Sequence, residues 1–298
     1  INLMQELLES IPDKTSIVLL GDPDQLPPVG PGQVFKDLIE SQTIPVVRLT
    51  GNYRQHLMSD ISKVARSIVK GKVPNFTDNF NHKEFSFIET ARGNQANKIL
   101  DLFLYKLPKL LSVDMNQIQI LSPMRDGEVG VNNLNYLIQQ KLTANGSPLF
   151  TKKNKNNEIH FYSDDKVIMR KNKVKELGLV NGDIGTLIRK SGNEIITEFE
   201  NKGEVKFKQN QIYDLELAYA ITIHLSQGSD YPGVIIPCSS EHDFMLKRNL
   251  IYTAITRGKE KVCMVGEEKS FKAGIGKGWM DFRYTNFVQL IKENYDDV

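Results

Sequence analysis

Residues 21–41 read GDPDQLPPVGPGQVFKDLIES. Immediately before them stands Ser16-Ile17-Val18-Leu19-Leu20, a short continuous apolar run rich in branched side chains. A run of this kind, stopped by Gly21-Asp22-Pro23, has the pattern of a strand buried on both faces of a parallel sheet. An acid at its end, with Gln25 close behind, places polar side chains at the carboxyl end of that sheet, where open α/β folds bind ligands. The Pro- and Gly-rich loop from Gly21 to Gly32 is predicted to lead into a helix over Val34 to Ser41.

The same rhythm extends outward. Leu3, Leu7, Leu8 and Ile11 recur at helical spacing and stop at Pro12. Val46-Val47-Arg48-Leu49 is a candidate strand, followed by a long helical stretch through Val69, whereas residues 71–95 are polar and irregular. Residues 97–111 and 131–142 are predicted helical, with a strand over Ile118 to Leu121 between them. The texture then changes. Residues 143–160 are rich in Lys and Asn, and from 165 to 212 come short alternating segments with turn signals at Asn181-Gly182-Asp183 and Ser191-Gly192-Asn193. That pattern predicts a small antiparallel barrel inserted into an α/β domain. The α/β rhythm returns with a helix near 214–225, a strand over 233–236, a helix over 246–257 and a strand over 261–265.

Composition bounds the function less tightly. Among 298 residues, 38 basic and 36 acidic side chains leave a formal charge of +2, so any basic groove must come from local placement. Cys238 and Cys263 form no CxxC and have no His at ligand spacing, so they read as buried thiols rather than metal ligands or a disulfide. No run of 18 apolar residues exists, there is no charged-then-apolar leader, and a cytoplasmic protein is expected. The chain starts at Ile1 directly in a helical pattern, which suggests a piece of a longer protein.

Five segments carry chemistry, and together they identify a family by resemblance. The string GDxDQLPPVGPGxVxxDLI resembles motif III of RecD-type superfamily 1 DNA helicases, the family that includes the exodeoxyribonuclease V alpha subunit. The resemblance implies that Gln25 senses the γ-phosphate of ATP and that Pro27 and Pro28 lie beside DNA. Although IVLLGD is similar to a Walker B strand, Asp22 is followed by Pro and not Glu, so it reads as the next strand. LTGNYRQ (residues 49–55) resembles motif IV, which implies Arg54 on the γ-phosphate and Tyr53 near the base; a guanidinium fork matches phosphate oxygens. IQILSPMRDGEVGVNNLN (residues 118–135) is similar to a further RecD segment, which implies that Ser122 and Arg125 face the DNA backbone, positioning the strand without reading its sequence.

YAITIHLSQGSDYPGVII (residues 219–236) resembles motif V, implying Thr222 and His224 on the DNA backbone and Gln227, Gly228 and Asp230 toward the nucleotide. Gly228 allows close backbone approach. Two positions depart from the family: Leu225 stands where Lys is common, and Asp230 where Glu is common. RNLIYTAITRGKEKVCMVG (residues 248–266) resembles motif VI, which makes Arg257 the arginine finger. Phosphoryl transfer is accelerated mainly by charge stabilisation, and a finger can supply about 10³ to 10⁵ in rate, or roughly 4–7 kcal/mol.

The expected fold is α/β: a RecA-like parallel-sheet motor domain of the P-loop NTPase superfamily with an inserted SH3-like β-barrel. Residues 1–46 are assigned to the end of a first motor domain, 47–142 with 213–298 to the second, and 143–212 to the barrel. No GxxxxGK[ST] is present; Gly274-Ile275-Gly276-Lys277-Gly278 is too short and lacks the hydroxyl residue. The Asp-Glu pair for metal and water is also missing, so the residues present are expected to be inactive alone as an ATPase. ATP and Mg²⁺ would need a further motor domain. Single-stranded DNA is the expected partner, with other recombination or repair subunits as candidates and translocation 5′ to 3′ implied by the family. Two other readings stay open: a non-catalytic nucleic-acid- or partner-binding module, and the helicase half of a conjugative relaxase.

Overall fold

The computed structural model describes residues 2–28, 30–49, 59–74, 80, 84–143, 146–153, 158–200, 202–208, 210–277 and 285–295. The chain opens with helices α1 (Asn2–Ser10), α2 (Val34–Ser41) and α3 (Asp60–Val69), then strand β1 (Phe85–Glu89). Helix α4 (Gln95–Asp101) runs through a π-helical turn over Leu102–Lys106 into α5 (Leu107–Leu111), followed by β2 (Ile118–Ser122) and α6 (Val131–Leu142). Next come β3 (Phe150–Lys153), β4 (Glu158–Phe161), β5 (Lys166–Met169), α7 (Val174–Leu177), β6 (Ile184–Ser191), β7 (Glu194–Phe199), β8 (Gly203–Phe207), β9 (Leu215–Leu217) and β10 (Ala220–Thr222). The remainder is β11 (Tyr231–Cys238), α8 (Arg248–Ile255), β12 (Gly258–Gly266), α9 (Glu268–Gly276) and α10 (Phe287–Tyr295).

Five of these strands form a parallel sheet in the order β1-β12-β11-β2-β10. The apolar runs at its centre alternate between two cores, as a period of two residues requires. Val234, Ile236, Val262 and Met264 face one core, shared with Ile61 and Ile68 of α3, Leu250 and Ala254 of α8, and Phe271 of α9. Ile235, Cys263 and Val265 face the other, shared with Ile99 of α4, Phe103, Leu107 of α5, and Leu134 and Ile138 of α6. Helices therefore cover both faces, which is why the central segments 233–238 and 262–265 carry no charged or amide side chain. Cys238 and Cys263 are buried free thiols on opposite faces.

A second, antiparallel sheet has the order β8-β7-β6-β5-β9 and its own core around Phe161, Val167, Leu187, Phe199 and Phe207. The predicted turn at Ser191-Gly192-Asn193 closes the β6–β7 hairpin, with Ser191 opposite Glu194. Two consecutive buried residues fasten this sheet to the parallel one. Asp165 accepts hydrogen bonds from Tyr219 Oη (2.7 Å), Gln139 Nε2 (2.6 Å) and the Tyr162 amide (2.8 Å). Burial raises its pKa against the pull of those donors. Lys166 points elsewhere, its Nζ donating to the carbonyls of Asn116 (2.7 Å) and Ile118 (3.0 Å) at the start of β2. Burial without a tight carboxylate partner brings its pKa down to about 7.

Four expectations fail. Phe85–Glu89, inside the stretch expected to be irregular, is strand β1 at the edge of the parallel sheet. Residues 16–20 and 46–49 belong to no strand, and Val18, Leu20, Val47 and Leu49 are exposed. Their sequences suit a buried parallel strand, yet such a strand exists only with neighbours to accept its ladder, and no described strand pairs with either segment. The helix expected near 214–225 is absent as well. That segment is β9, then β10, then a 3₁₀ turn over Ile223–Ser226. β9 pairs with β5 in one sheet and β10 with β2 in the other, and the crossing is held by Asn135 of α6. Its Oδ1 accepts from the Ala220 amide (2.8 Å), while Nδ2 donates to the Leu217 and Ala220 carbonyls (3.1 and 2.9 Å). Pairing across sheets overrides the local pattern.

Candidate functional site

The Pro-rich loop after Gly21 is docked on α8 and on the turn before β11. Asp22 organises its first turn: Oδ1 accepts the Asp24 amide (3.0 Å), and Oδ2 accepts both Gln25 Nε2 (3.0 Å) and Tyr252 Oη (2.9 Å). Leu26 is buried in the core that contains Leu250 and Ala254 of α8. Its amide donates to Thr253 Oγ1 (2.9 Å), and its carbonyl accepts from Gln227 Nε2 (2.8 Å). Burying a leucine contributes roughly 1.5–3 kcal/mol and each such hydrogen bond about 1 kcal/mol, so the loop is held by more than one interaction. Burial, then the neighbouring Asp22, raises the pKa of Asp24. Burial and the Asp22 carboxylate push the Tyr252 phenol well above its usual range, so it remains a donor.

Arg257 follows directly on α8 and is buried. Its Nη1 donates to the Ser229 carbonyl (3.1 Å) and its Nε to the Thr253 carbonyl (3.3 Å), with Asp230 Oδ1 3.8 Å from Nη1. The turn that supplies these groups needs Gly228, whose φ of +84° is costly for other residues. Gln25, Gln227, Asp230 and Arg257 thus belong to one connected cluster, joined through Asp22, Tyr252, Leu26, Thr253 and Ser229. Tyr53 and Arg54 lie outside the described residues.

Ser122, Arg125, Thr222 and His224 gather at the opposite end of the sheet, whereas Pro27 and Pro28 directly follow Leu26 on the Gln25 loop. Ser122 and Thr222 are partners in register at the carboxyl ends of β2 and β10. Ile235 and Ala220 both stand beside Ile120, so Thr222 is level with Pro237, six positions beyond Tyr231. At about 3.3 Å per residue the two groups are roughly 20 Å apart along the sheet. Ser122 is fully buried and donates its hydroxyl to the Val129 carbonyl (2.9 Å), so it shapes the loop instead of reaching outward. Arg125 is exposed on that loop, with Nη2 3.0 Å from Glu216 Oε2, an oxygen that Arg170 Nε also approaches at 3.4 Å. Thr222 and His224 are half-buried, and burial lowers the His224 pKa, which favours the neutral imidazole. Leu225 packs against the core, an apolar reason for its departure from Lys. Pro27 is half-buried and Pro28 exposed.

Sequence reasoning missed several contributors. Tyr252 and Thr253 dock the Gln25 loop, and Glu241 and His242 brace the Arg125 loop: Glu241 Oε1 accepts the Val129 amide (3.1 Å), and His242 Nε2 meets the Asp126 carbonyl (3.3 Å). Gly127, with φ +102°, leaves room for that brace, since a Cβ there would lie 2.8 Å from Glu241 Oε1. These pairings join residues more than 100 positions apart, and no local spacing encodes them. Among the described residues no group of three or more His, Cys, Asp or Glu converges to hold a metal ion, and no helix is long and apolar enough to cross a membrane.

Comparison with known proteins falls on these same segments. Residues 1–90 match an AAA domain family and residues 217–265 the UvrD-like helicase C-terminal domain. The chain is 29% identical over 277 residues to the ATP-dependent RecD2 DNA helicase of Deinococcus radiodurans, covering 93% of this chain and 35% of that protein. It is 26% identical over 285 residues to the RecBCD enzyme subunit RecD of Mycolicibacterium smegmatis, covering 92% of this chain and 49% of that protein. The chain thus spans about a third to a half of the length of these relatives. In fold it is similar to a Pif1 helicase from Bacteroides solved in complex with ADP-AlF3 and ssDNA, with TM-score 0.50, 18% identity, and coverage of 93% of this chain and 66% of that one.

Proposed function

We propose, for this RecD-like helicase chain, that it supplies the finger side of an ATP-driven motor moving on single-stranded DNA. Gln25 and Arg257 are assigned to the γ-phosphate, with Gln227, Gly228 and Asp230 beside the nucleotide and Arg54 and Tyr53 completing the set. One observation carries this reading: the two hydrogen bonds of the Leu26 backbone join the Gln25 loop to Thr253 of α8, the helix that Arg257 follows, and to Gln227 in the turn before β11. A guanidinium held by backbone carbonyls keeps its full charge and is oriented before charge develops on the phosphate. Arg125, Thr222 and His224 are assigned to DNA at the carboxyl ends of β2 and β10, and Pro27 and Pro28 to DNA from the Gln25 loop; Ser122 contributes by shaping its loop.

Residues 1–46 act as the end of a first motor domain, 47–142 with 213–298 as the second, and 143–212 as an SH3-like barrel. The exposed branched runs at 16–20 and 46–49 then complete a sheet built mostly from other residues of the polypeptide. ATP brings Mg²⁺ with it, and the metal's ligands are expected outside the described residues; what this chain adds is fixed positive charge and an oriented amide. A role in recombination or repair, with further subunits, follows the RecD likeness. The test is ATP hydrolysis by the full-length polypeptide with and without single-stranded DNA. DNA should stimulate the wild type, and Arg257→Ala should lower kcat by about 10³ or more while DNA affinity changes less than about twofold. Wild-type turnover by that variant refutes the finger assignment.

A further inference from the structure

The geometry points to Tyr252 as a positioning residue that holds the amide of Gln25 in register with Arg257. The inference rests on the function proposed above and adds to it a link between two of its parts. Asp22 Oδ2 receives two donors at once, Gln25 Nε2 at 3.0 Å and Tyr252 Oη at 2.9 Å. A carboxylate accepts and cannot donate, so this contact fixes which end of the Gln25 amide faces inward. The –NH₂ is turned to Asp22, and the carbonyl Oε1 is turned away from it. That leaves Oε1 to accept a hydrogen bond from water and the second N–H to donate to a phosphate oxygen, the two demands of a group that aligns an attacking water.

Asp22 could not keep that orientation from the loop alone. Its other described donors, the Asp24 amide and Gln25 itself, belong to the same short turn and move with it. Tyr252 comes from α8, five residues before Arg257, on the helix that leads into the turn holding the guanidinium. A phenol donating to a carboxylate is a charge-assisted bond, worth more than a neutral one, and it is directional. Any rotation of α8 that withdraws Arg257 draws the phenol from Asp22 and frees the Gln25 amide to turn. Finger and amide therefore leave the productive arrangement together. Nothing in the local sequence announces this, because 230 positions separate the two partners. The Leu26 contacts place the loop on α8, and the Tyr252 contact sets the direction of one side chain within it.

Tyr252→Phe removes one oxygen and keeps the ring, so it separates orientation from packing. In the full-length polypeptide this variant should lower DNA-stimulated kcat for ATP about tenfold, the scale of one hydrogen bond to a charged group, with KM for ATP and DNA affinity within about twofold. Asp22→Asn should give a loss of similar size. In a Gln25→Ala background Tyr252→Phe should cause no further loss, which a merely structural role of the phenol does not predict. Wild-type kcat in Tyr252→Phe overturns the inference, as does a tenfold loss that persists undiminished in Gln25→Ala. A wild type without DNA-stimulated ATPase sinks the proposed function itself. An active wild type with a crippled Gln25→Ala and a fully active Tyr252→Phe sinks the positioning role alone.

Discussion

The two ends of the parallel sheet are built on opposite plans. At the amino ends of β11 and β12, Arg257 is 4% exposed and engaged with backbone carbonyls, and Leu26 is 5% exposed. At the carboxyl ends of β2 and β10, Arg125 is exposed and its ion pair is open to water. A group that must meet a developing charge gains from being fixed beforehand, because no reorganisation is then needed at the moment of reaction. A group that must release and regrip a moving polymer gains nothing from rigidity, and an exposed pair of this kind contributes only about 0–1 kcal/mol. The segment Ile223 to Asp230 runs from one end to the other, through the 3₁₀ turn and Gly228.

This contrast can be broken most severely at Leu26. Leu26→Ala removes the buried anchor of the rigid end and should cost about 3 kcal/mol locally, read as faster hydrogen exchange over residues 22–28 with little change at 123–130. Equal loosening at both ends would mean that they are one unit. A smaller effect sharpens the picture at the open end. Arg125→Ala should weaken single-stranded DNA binding by about three- to tenfold and reduce the salt slope of log Kd by about one, with kcat at saturating DNA unchanged. An unchanged salt slope would remove Arg125 from the DNA side.

Legibility in the sequence followed the range of the interaction. The strands at 118–121, 233–236 and 261–265 could be read because apolar residues on both faces of a buried strand leave a continuous local run. The β6–β7 turn was legible through Gly192, whose φ of +60° is a local demand. Ser16 to Leu20 carries the same kind of run, yet here it is no strand, since pairing is a property of neighbours and not of the segment. The segment near 214–225 misled for the converse reason: its apolar residues fit a helix, but Asn135 and two different sheets claim it three residues at a time. In the candidate site, Gln25 and Arg257 stood out through their motifs, whereas Tyr252, Thr253 and Glu241 did not, being ordinary residue types whose partners lie far along the chain.

The most direct test of convergence on one triphosphate is equilibrium binding of ADP–aluminium fluoride to the full-length polypeptide in a double-mutant cycle of Gln25→Ala and Arg257→Ala. Each single variant should weaken binding by tenfold or more, and the double variant should lose clearly less than the product of the two, the sign of groups sharing one ligand atom cluster. Strictly multiplicative losses, or unchanged binding in either single variant, would contradict the account.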